Sequence, residues 1–281
     1  MFIHLFLLSC LIALIFILLS SKITLNWVKK SFQLYGTAFM VTAFLIGVVY
    51  VNENKAAFAR DTVKADTHIV KPTEKYISQY EIKGSVHLDA PHIKQLPELP
   101  RGCEVTSLGM LLKYSGVDVD KMELAERVKK DKTPYQTTKN GVYFGNPNNG
   151  FVGDMYSFDN PGLGVYHGPI ADLAAQYVGI ERVYDFTGRN FSEIINQLNQ
   201  NRPVWVIINA EYNKLPETFF TTWQTEDGPI DITMKEHSVL ITGYDQEYIY
   251  FNDPLNREEK APINEFKAAW IQMGKQAITV F

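Results

Sequence analysis

Two long runs without a charged side chain, both near the amino terminus, constrain this chain most. The first runs from Phe2 to Ser20 and the second from Ser31 to Val51. A helix of nineteen residues is about 28 Å long, which is close to the thickness of a bilayer core. We therefore predict that residues 1–51 form two transmembrane helices joined by a short loop. The alternative is that both runs form buried helices of a soluble fold.

Lysines predict the orientation of these helices. Lys22, Lys29 and Lys30 lie between the two runs, and basic loops favour the cytoplasmic side of a membrane. The loop is thus predicted to be cytoplasmic, with the rest of the chain on the extracellular side of the plasma membrane. Residues 52–84 are rich in Lys, Glu, Asp and Thr and predict an extracellular tether. An A-x-A pattern at 57–59 leaves open that cleavage there releases the remaining chain.

The charge of the remaining chain argues against one class of partner. Residues 60–281 carry 23 basic and 30 acidic side chains. A nucleic-acid binder needs a basic face, so we predict no nucleic-acid partner. The chain has no C-x-x-C or H-E-x-x-H spacing, so we predict neither a metal site nor a cofactor.

From about residue 85 onward the apolar pattern becomes regular. Helical periodicity follows Cys103, and further helices are predicted after Asp120, from Pro169 to Val178 and from Phe191 to Asn199. Runs rich in Val, Ile, Tyr and Thr then predict antiparallel strands at 204–208, 238–244, 248–251 and 277–281, with a helix beginning at Pro262. Helices first and strands later predict one α+β domain over residues 85–281.

Cys103 is the strongest candidate for chemistry. It follows Gly102 in the first turn of a predicted helix, where the positive end of the helix dipole stabilises a thiolate. The alternative is a small buried apolar residue, which is a common role for a free cysteine. Glu104 is the next residue, and its charge opposes thiolate formation unless its side chain points away.

A nucleophilic thiol needs a base, and His237 is the best placed histidine. It directly precedes the strand predicted at 238–244, which can hold its ring in one orientation. The other histidines after residue 60 are predicted to be solvated; they are His68, His87, His92 and His167. A turn near Gln246 places position 237 opposite about position 255. Asp253 is therefore predicted to lie beside His237 and to orient it.

An oxyanion formed at this site would need hydrogen-bond donors. The N–H of Cys103 at the start of the helix is one candidate. The side-chain amide of Gln95, eight residues upstream on the loop that leads to Cys103, is the other. The alternative for Gln95 is an ordinary solvated loop residue.

These residues carry a family resemblance. The chain resembles the bacterial C39-like peptidases in the stretch Gln95-Leu-Pro-Glu-Leu-Pro-Arg-Gly-Cys103-Glu-Val-Thr-Ser-Leu, in His237-Ser-Val-Leu-Ile-Thr-Gly-Tyr and in Asn252-Asp253-Pro254. The resemblance covers about residues 85–281 and implies a papain-like fold. It also implies that Cys103 is the nucleophile, His237 the base, Asp253 its orienting partner and Gln95 an oxyanion donor.

The chain departs from the transporter-fused members of the wider group, which cut leader peptides. It has no G-x-x-x-x-G-K-[ST] loop for phosphate, so we do not expect that substrate. We predict a membrane-anchored extracellular cysteine peptidase or amidase, acting on a peptide or protein through a thioester. One alternative is a cell-wall amide hydrolase or transpeptidase with the same site, and another is a non-catalytic papain-like binding module. Residues 131–168, rich in Asn, Gly, Pro and Tyr, are predicted as a long loop that lines the cleft or simply packs on the surface.

Overall fold

The computed structural model describes residues 26–53, 83–139 and 141–281, together with residues 12, 15, 16 and 18. The chain divides into two units, Met1–Ser78 and Gln79–Phe281. In the first unit, helix α1 covers Asn26–Glu53. The ring of Phe16 packs edge-on against that of Phe32 in α1, with 5.3 Å between the ring centroids.

The prediction of two transmembrane helices over residues 1–51 is wrong for the residues that the structure describes. No helix among them is both long enough and apolar enough to cross a membrane. The second uncharged run lies inside α1. The prediction used only the length of the runs and their lack of charge, and these two properties do not measure how apolar a helix is.

The described residues address only some of the other predictions for this end of the chain. Lys29 and Lys30, predicted in a cytoplasmic loop, lie inside α1. Most of the first uncharged run, Lys22 and nearly all of the predicted tether lie outside the described residues. The location outside the cell stays a prediction.

Among the described residues, the second unit contains five α-helices and a larger number of short strands. The helices are α2 (Cys103–Tyr114), α3 (Lys121–Arg127), α4 (His167–Val178), α5 (Phe191–Asn199) and α6 (Ile263–Gln272). The strands are β1 (Val86–His87), β2 (Lys130–Asp131), β3 (Gln136–Thr138), β4 (Gly141–Tyr143), β5 (Phe151–Val152), β6 (Val183–Asp185), β7 (Val204–Asn209), β8 (Phe220–Thr225), β9 (Gly228–Thr233), β10 (Glu236–Tyr244), β11 (Tyr248–Asn252), β12 (Lys260–Pro262) and β13 (Ala277–Val280).

One antiparallel sheet with the order β12-β11-β10-β7-β13-β6 lies at the centre, and β1 pairs with β10. Alternate residues of β7 pack on opposite faces. Trp205 and Ile207 join a core with α2, α3 and α4, whereas Val204, Val206 and Ile208 join a second core with α5 and α6. This two-sided burial explains why the strand is a continuous apolar run. The prediction of an α+β domain with a sheet-rich carboxyl-terminal part is confirmed.

A second, smaller sheet has the order β3-β4-β8-β9, and the sequence did not predict it. The hairpin β8–β9 has polar side chains on its exposed face, so its strands lack the long apolar run of β7. The segment 131–168, predicted as a loop, contributes β3 and β4 to this sheet. The indole Nε1 of Trp223 on β8 donates to the carbonyl of Gly145 at 3.1 Å, which fastens the sheet to that segment.

Candidate active site

Cys103 is the first residue of α2. Gly102 precedes it, and a Cβ atom there would lie only 2.6 Å from the Cβ of Leu99, so the approach to the helix requires glycine. The N–H of Cys103 has no acceptor within the helix because it belongs to the first turn. The side chain is 7% exposed. The helix therefore presents a nearly buried thiol together with a free backbone donor.

Two hydrogen bonds fix α2 on the central sheet. The indole Nε1 of Trp205 on β7 donates to the carbonyl of Glu104 at 3.0 Å. The hydroxyl of Ser107 donates to the carbonyl of Ser238 on β10 at 3.1 Å. The start of α2 is thus held beside the start of β10, where His237 lies.

His237 and Asp253 are brought together by the hairpin of β10 and β11. In this pair Leu240 lies opposite Asn252, in agreement with the register expected from a turn near Gln246. Nε2 of His237 lies 2.7 Å from Oδ1 of Asp253. Since an ionised carboxylate only accepts hydrogen bonds, Nε2 carries the proton and Nδ1 is the basic nitrogen.

The carboxylate of Asp253 is fully buried and accepts further hydrogen bonds. Oδ1 also accepts from the N–H of Leu255 at 2.8 Å. Oδ2 accepts from the hydroxyl of Tyr212 at 3.0 Å and from the N–H of Arg257 at 2.9 Å. Burial alone would raise the pKa of Asp253, but these bonds, led by the one from His237, hold it well below its ordinary value. The carboxylate therefore stays ionised and orients the imidazole.

Cys103, His237 and Gln95 line one pocket of about 320 Å³. Gln95 is 1% exposed, so the solvated alternative does not hold. Its Nε2 donates to the carbonyls of Leu99 and Pro100, both at 3.0 Å, and its Oε1 is buried without a partner among the described residues. Gln95 thus lies at the site with both amide hydrogens engaged, and its oxyanion role stays a prediction.

Two carboxyl groups that the sequence analysis did not bring together lie beside the thiol. Sγ of Cys103 donates to Oε2 of Glu104 at 3.3 Å, so Glu104 points toward the thiol. Oε1 of Glu104 accepts from the N–H of Val165 at 2.6 Å. Oε1 of Glu236, the first residue of β10, is buried and has no partner among the described residues.

Gly164 makes room for this pair of acids. A Cβ atom there would lie 2.1 Å from Oε1 of Glu104 and 2.8 Å from Oε2 of Glu236. One ligand atom each from Cys103, Glu104 and Glu236 lies within 4.8 Å of the others, a spacing that could hold a metal ion. A proton on the thiol and one on a carboxyl group account for the same contacts.

The acid pair sets the resting state of the thiol. Burial raises the pKa of Glu104 to about 7, and burial together with Glu104 raises the pKa of Glu236 well above its ordinary value. Burial and both carboxyl groups also raise the pKa of the Cys103 thiol. The resting site therefore holds a protonated thiol that donates to Glu104.

Glu104→Gln is expected to flatten the pH dependence of stability. Because the pKa of Glu104 is raised from 4.5 to about 7, the folded state binds its proton more tightly than the unfolded state. The stabilisation is complete below pH 4.5 and is lost as the pH rises through 7, in all by up to about 3 kcal/mol. Urea unfolding at pH 5, 6, 7 and 8 measures this slope.

The matched control for that experiment is Glu265→Gln on α6, which removes an exposed carboxylate. It should leave the slope of the wild-type protein unchanged. An equal slope in Glu104→Gln and wild type would contradict the raised pKa of Glu104.

Hydrogen bonds tie the loop before α2 to the segment after β11. Nδ2 of Asn252 donates to the carbonyls of Ala90 and Pro91, at 2.9 and 3.2 Å. The N–H of Gln95 donates to the carbonyl of Pro254 at 2.9 Å. Nε2 of His92, predicted to be solvated, donates to the carbonyl of Asp253 at 2.7 Å. Loop 90–95 is therefore positioned by segment 252–254.

None of the other histidines that the structure describes lines this pocket. Nδ1 of His167 lies 2.5 Å from Oδ2 of Asp185, which is a second histidine–aspartate pair elsewhere on the unit. The ring of His87 packs edge-on against Tyr250, with 4.4 Å between centroids. His68 lies outside the described residues.

Comparison with known proteins decides the family. The model of the Peptidase_C39 like family matches residues 87–278. The chain belongs to this family of C39-like peptidases. The family predicted from the cysteine, histidine and aspartate motifs is thereby confirmed, and the protein is a peptidase-type hydrolase by family.

Two relatives of this C39-like peptidase illustrate the similarity. The uncharacterized protein YvpB of Bacillus subtilis (strain 168) is 46% identical over 207 residues, which cover 72% of this chain and 79% of YvpB. A crystal structure described as that of a C39-like peptidase from Bacillus anthracis is 45% identical with a TM-score of 0.65. That similarity covers 71% of this chain and 98% of the Bacillus anthracis chain.

Proposed function

We propose that this C39-like peptidase hydrolyses an amide bond in a peptide or protein through a thioester on Cys103. His237 takes the thiol proton and Asp253 orients His237. The observation that supports the proposal most is the 2.7 Å bond between Nε2 of His237 and Oδ1 of Asp253, on a pocket that Cys103 also lines. A nucleophile, a base and a third group that orients the base form the general arrangement for covalent catalysis.

The steps follow from the proton positions. Nδ1 of His237 accepts the proton of Sγ, and the thiolate attacks the carbonyl carbon of the substrate. The N–H of Cys103 donates to the oxyanion that forms. His237 then protonates the leaving amine, and the resulting thioester is hydrolysed by water that His237 deprotonates.

Two contacts of the resting site change before the first step. Sγ must turn from Oε2 of Glu104, 3.3 Å away, toward His237. For Gln95 to assist the oxyanion, its amide must leave the carbonyls of Leu99 and Pro100. Binding of a substrate carbonyl, whose oxygen competes for the Gln95 amide, supplies the reason for the second movement.

A cysteine-directed activity probe tests the proposal. A peptidyl vinyl sulfone should add to Cys103 faster than to N-acetylcysteine, and mass spectrometry should locate the adduct on the peptide that contains residue 103. The same preparation should cleave members of an internally quenched peptide library. Labelling no faster than that of N-acetylcysteine, combined with no cleavage, would favour the non-catalytic binding module instead.

A further inference from the structure

The catalytic pocket has positively charged walls, although the chain around it is acidic. Arg101, Lys235 and Arg257 line it, whereas residues 60–281 carry 30 acidic and 23 basic side chains. Glu236 is the acidic residue among the lining residues, and burial together with Glu104 raises its pKa well above its ordinary value, which favours its neutral form. A cleft whose walls carry one sign of charge attracts ligands of the other sign.

Two of these cations have partners in the fold. Nζ of Lys235 lies 2.7 Å from Oε1 of Glu211, so its charge is neutralised locally. Nη1 of Arg101 donates to the carbonyls of Asp154 and Ser157, and its guanidinium lies 4.8 Å from the ring centroid of Phe158. These carbonyls and the aromatic ring hold the Arg101 guanidinium in place, and the Asp154 carboxylate also acts on its charge.

Arg257 has no such partner. Its N–H donates to Oδ2 of Asp253 at 2.9 Å, which fixes its backbone beside the histidine–aspartate pair. Its side chain is exposed and forms no ion pair with any residue in the described ranges 83–139 and 141–281. Glu258 and Glu259 follow it in sequence but do not line the pocket. The guanidinium is therefore available to a ligand.

Both arginines line the pocket and lie close in sequence to the proposed catalytic residues. Arg101 lies two residues before Cys103, and Arg257 lies four residues after Asp253. A guanidinium binds a carboxylate through two parallel hydrogen bonds, which fix orientation as well as charge. We infer that the substrate carries a carboxylate close to its scissile bond and that Arg257, with Arg101, binds it. This inference rests on the function proposed above.

The relative rates of two alkylating reagents test the charge of the pocket. Iodoacetate is an anion and iodoacetamide is neutral, and both react with the same thiolate, so the pKa of Cys103 cancels from the ratio of their rates. For Cys103 the ratio of iodoacetate to iodoacetamide should exceed that of N-acetylcysteine amide, a reference thiol without a carboxylate, by about tenfold. Mass spectrometry of the peptide containing residue 103 separates this reaction from that of Cys10.

Arg257→Gln should lower this ratio several-fold. The matched control is Lys267→Gln on α6, which removes the same charge outside the pocket and should leave the ratio unchanged. A ratio equal to that of N-acetylcysteine amide, or one that Arg257→Gln does not alter, would overturn the inference.

A protection experiment distinguishes the two sources of a carboxylate. Four versions of one peptide, with internal Glu or Gln and with a free or amidated carboxyl terminus, compete with iodoacetamide for Cys103. Stronger protection by the Glu peptides identifies an acidic side chain, and stronger protection by the free-terminus peptides identifies a chain end. Equal protection by all four contradicts the inference. An anion-selective thiol in a protein that cleaves no peptide would refute the proposed peptidase and leave the carboxylate site standing.

Discussion

Cys103→Ala is expected to reduce kcat/KM for any cleaved peptide by roughly 10⁴-fold or more, because no other group in the pocket can form the thioester. Cys103→Ser should be nearly as inactive, since a hydroxyl releases its proton much less readily than a thiol in the same buried position. The melting temperature of the serine variant should differ little from that of the wild type, because serine nearly keeps the volume of the cysteine side chain.

Cys10→Ser is the matched control for these variants, because it removes the other cysteine of the chain. It should retain wild-type turnover. Measurable turnover in a Cys103→Ala preparation would show that the nucleophile has been assigned to the wrong residue.

His237→Gln is expected to lower kcat/KM by roughly 10²–10⁴-fold. A glutamine amide can still donate to Oδ1 of Asp253, which now accepts from Nε2 of His237 at 2.7 Å, so the fold is preserved while the base is lost. This choice avoids the buried, unpaired carboxylate that His237→Ala would leave. The measurements are kcat/KM on one quenched peptide and the melting temperature.

His167→Gln provides the same substitution in the other histidine–aspartate pair, where Nδ1 of His167 faces Asp185. It should alter kcat/KM by no more than about threefold, since this pair does not line the catalytic pocket. Loss of activity in His167→Gln with near-normal turnover in His237→Gln would place the base at the other pair.

Elements with a strong local signal were predictable from the sequence. The side chain of Asp120 accepts from the N–H of Met122 at 2.7 Å, as the predicted helix start requires, and α5 covers Phe191–Asn199 as predicted. β7, β10, β11 and β13 were predictable because each has a run of β-branched and aromatic residues. The transmembrane helices were predicted wrongly because the prediction used only the length of the runs and their lack of charge, which do not measure how apolar a helix is.

The candidate site likewise has parts that were predictable from the sequence and parts that were not. The proximity of His237 and Asp253 followed from the hairpin register, which depends only on the position of one turn. The approach of Glu236 to Glu104 was not predictable, since no local pattern relates residues on β10 and α2. The sequence did offer one signal that Glu104 is buried beside the thiol, because it lies between the apolar residues Cys103 and Val105.

The bonds between loop 90–95 and segment 252–254 determine when an active site can exist during biosynthesis. They join residues 161 and 162 positions apart, so they cannot form until the chain through residue 253 has been synthesised, and closing so long a loop carries a large entropic cost. Cys103 leaves the ribosome well before Asp253 has been translated. A nascent or truncated chain that ends before residue 253 therefore has the thiol without the carboxylate that pairs with His237, and under the proposed mechanism we expect it to be inactive.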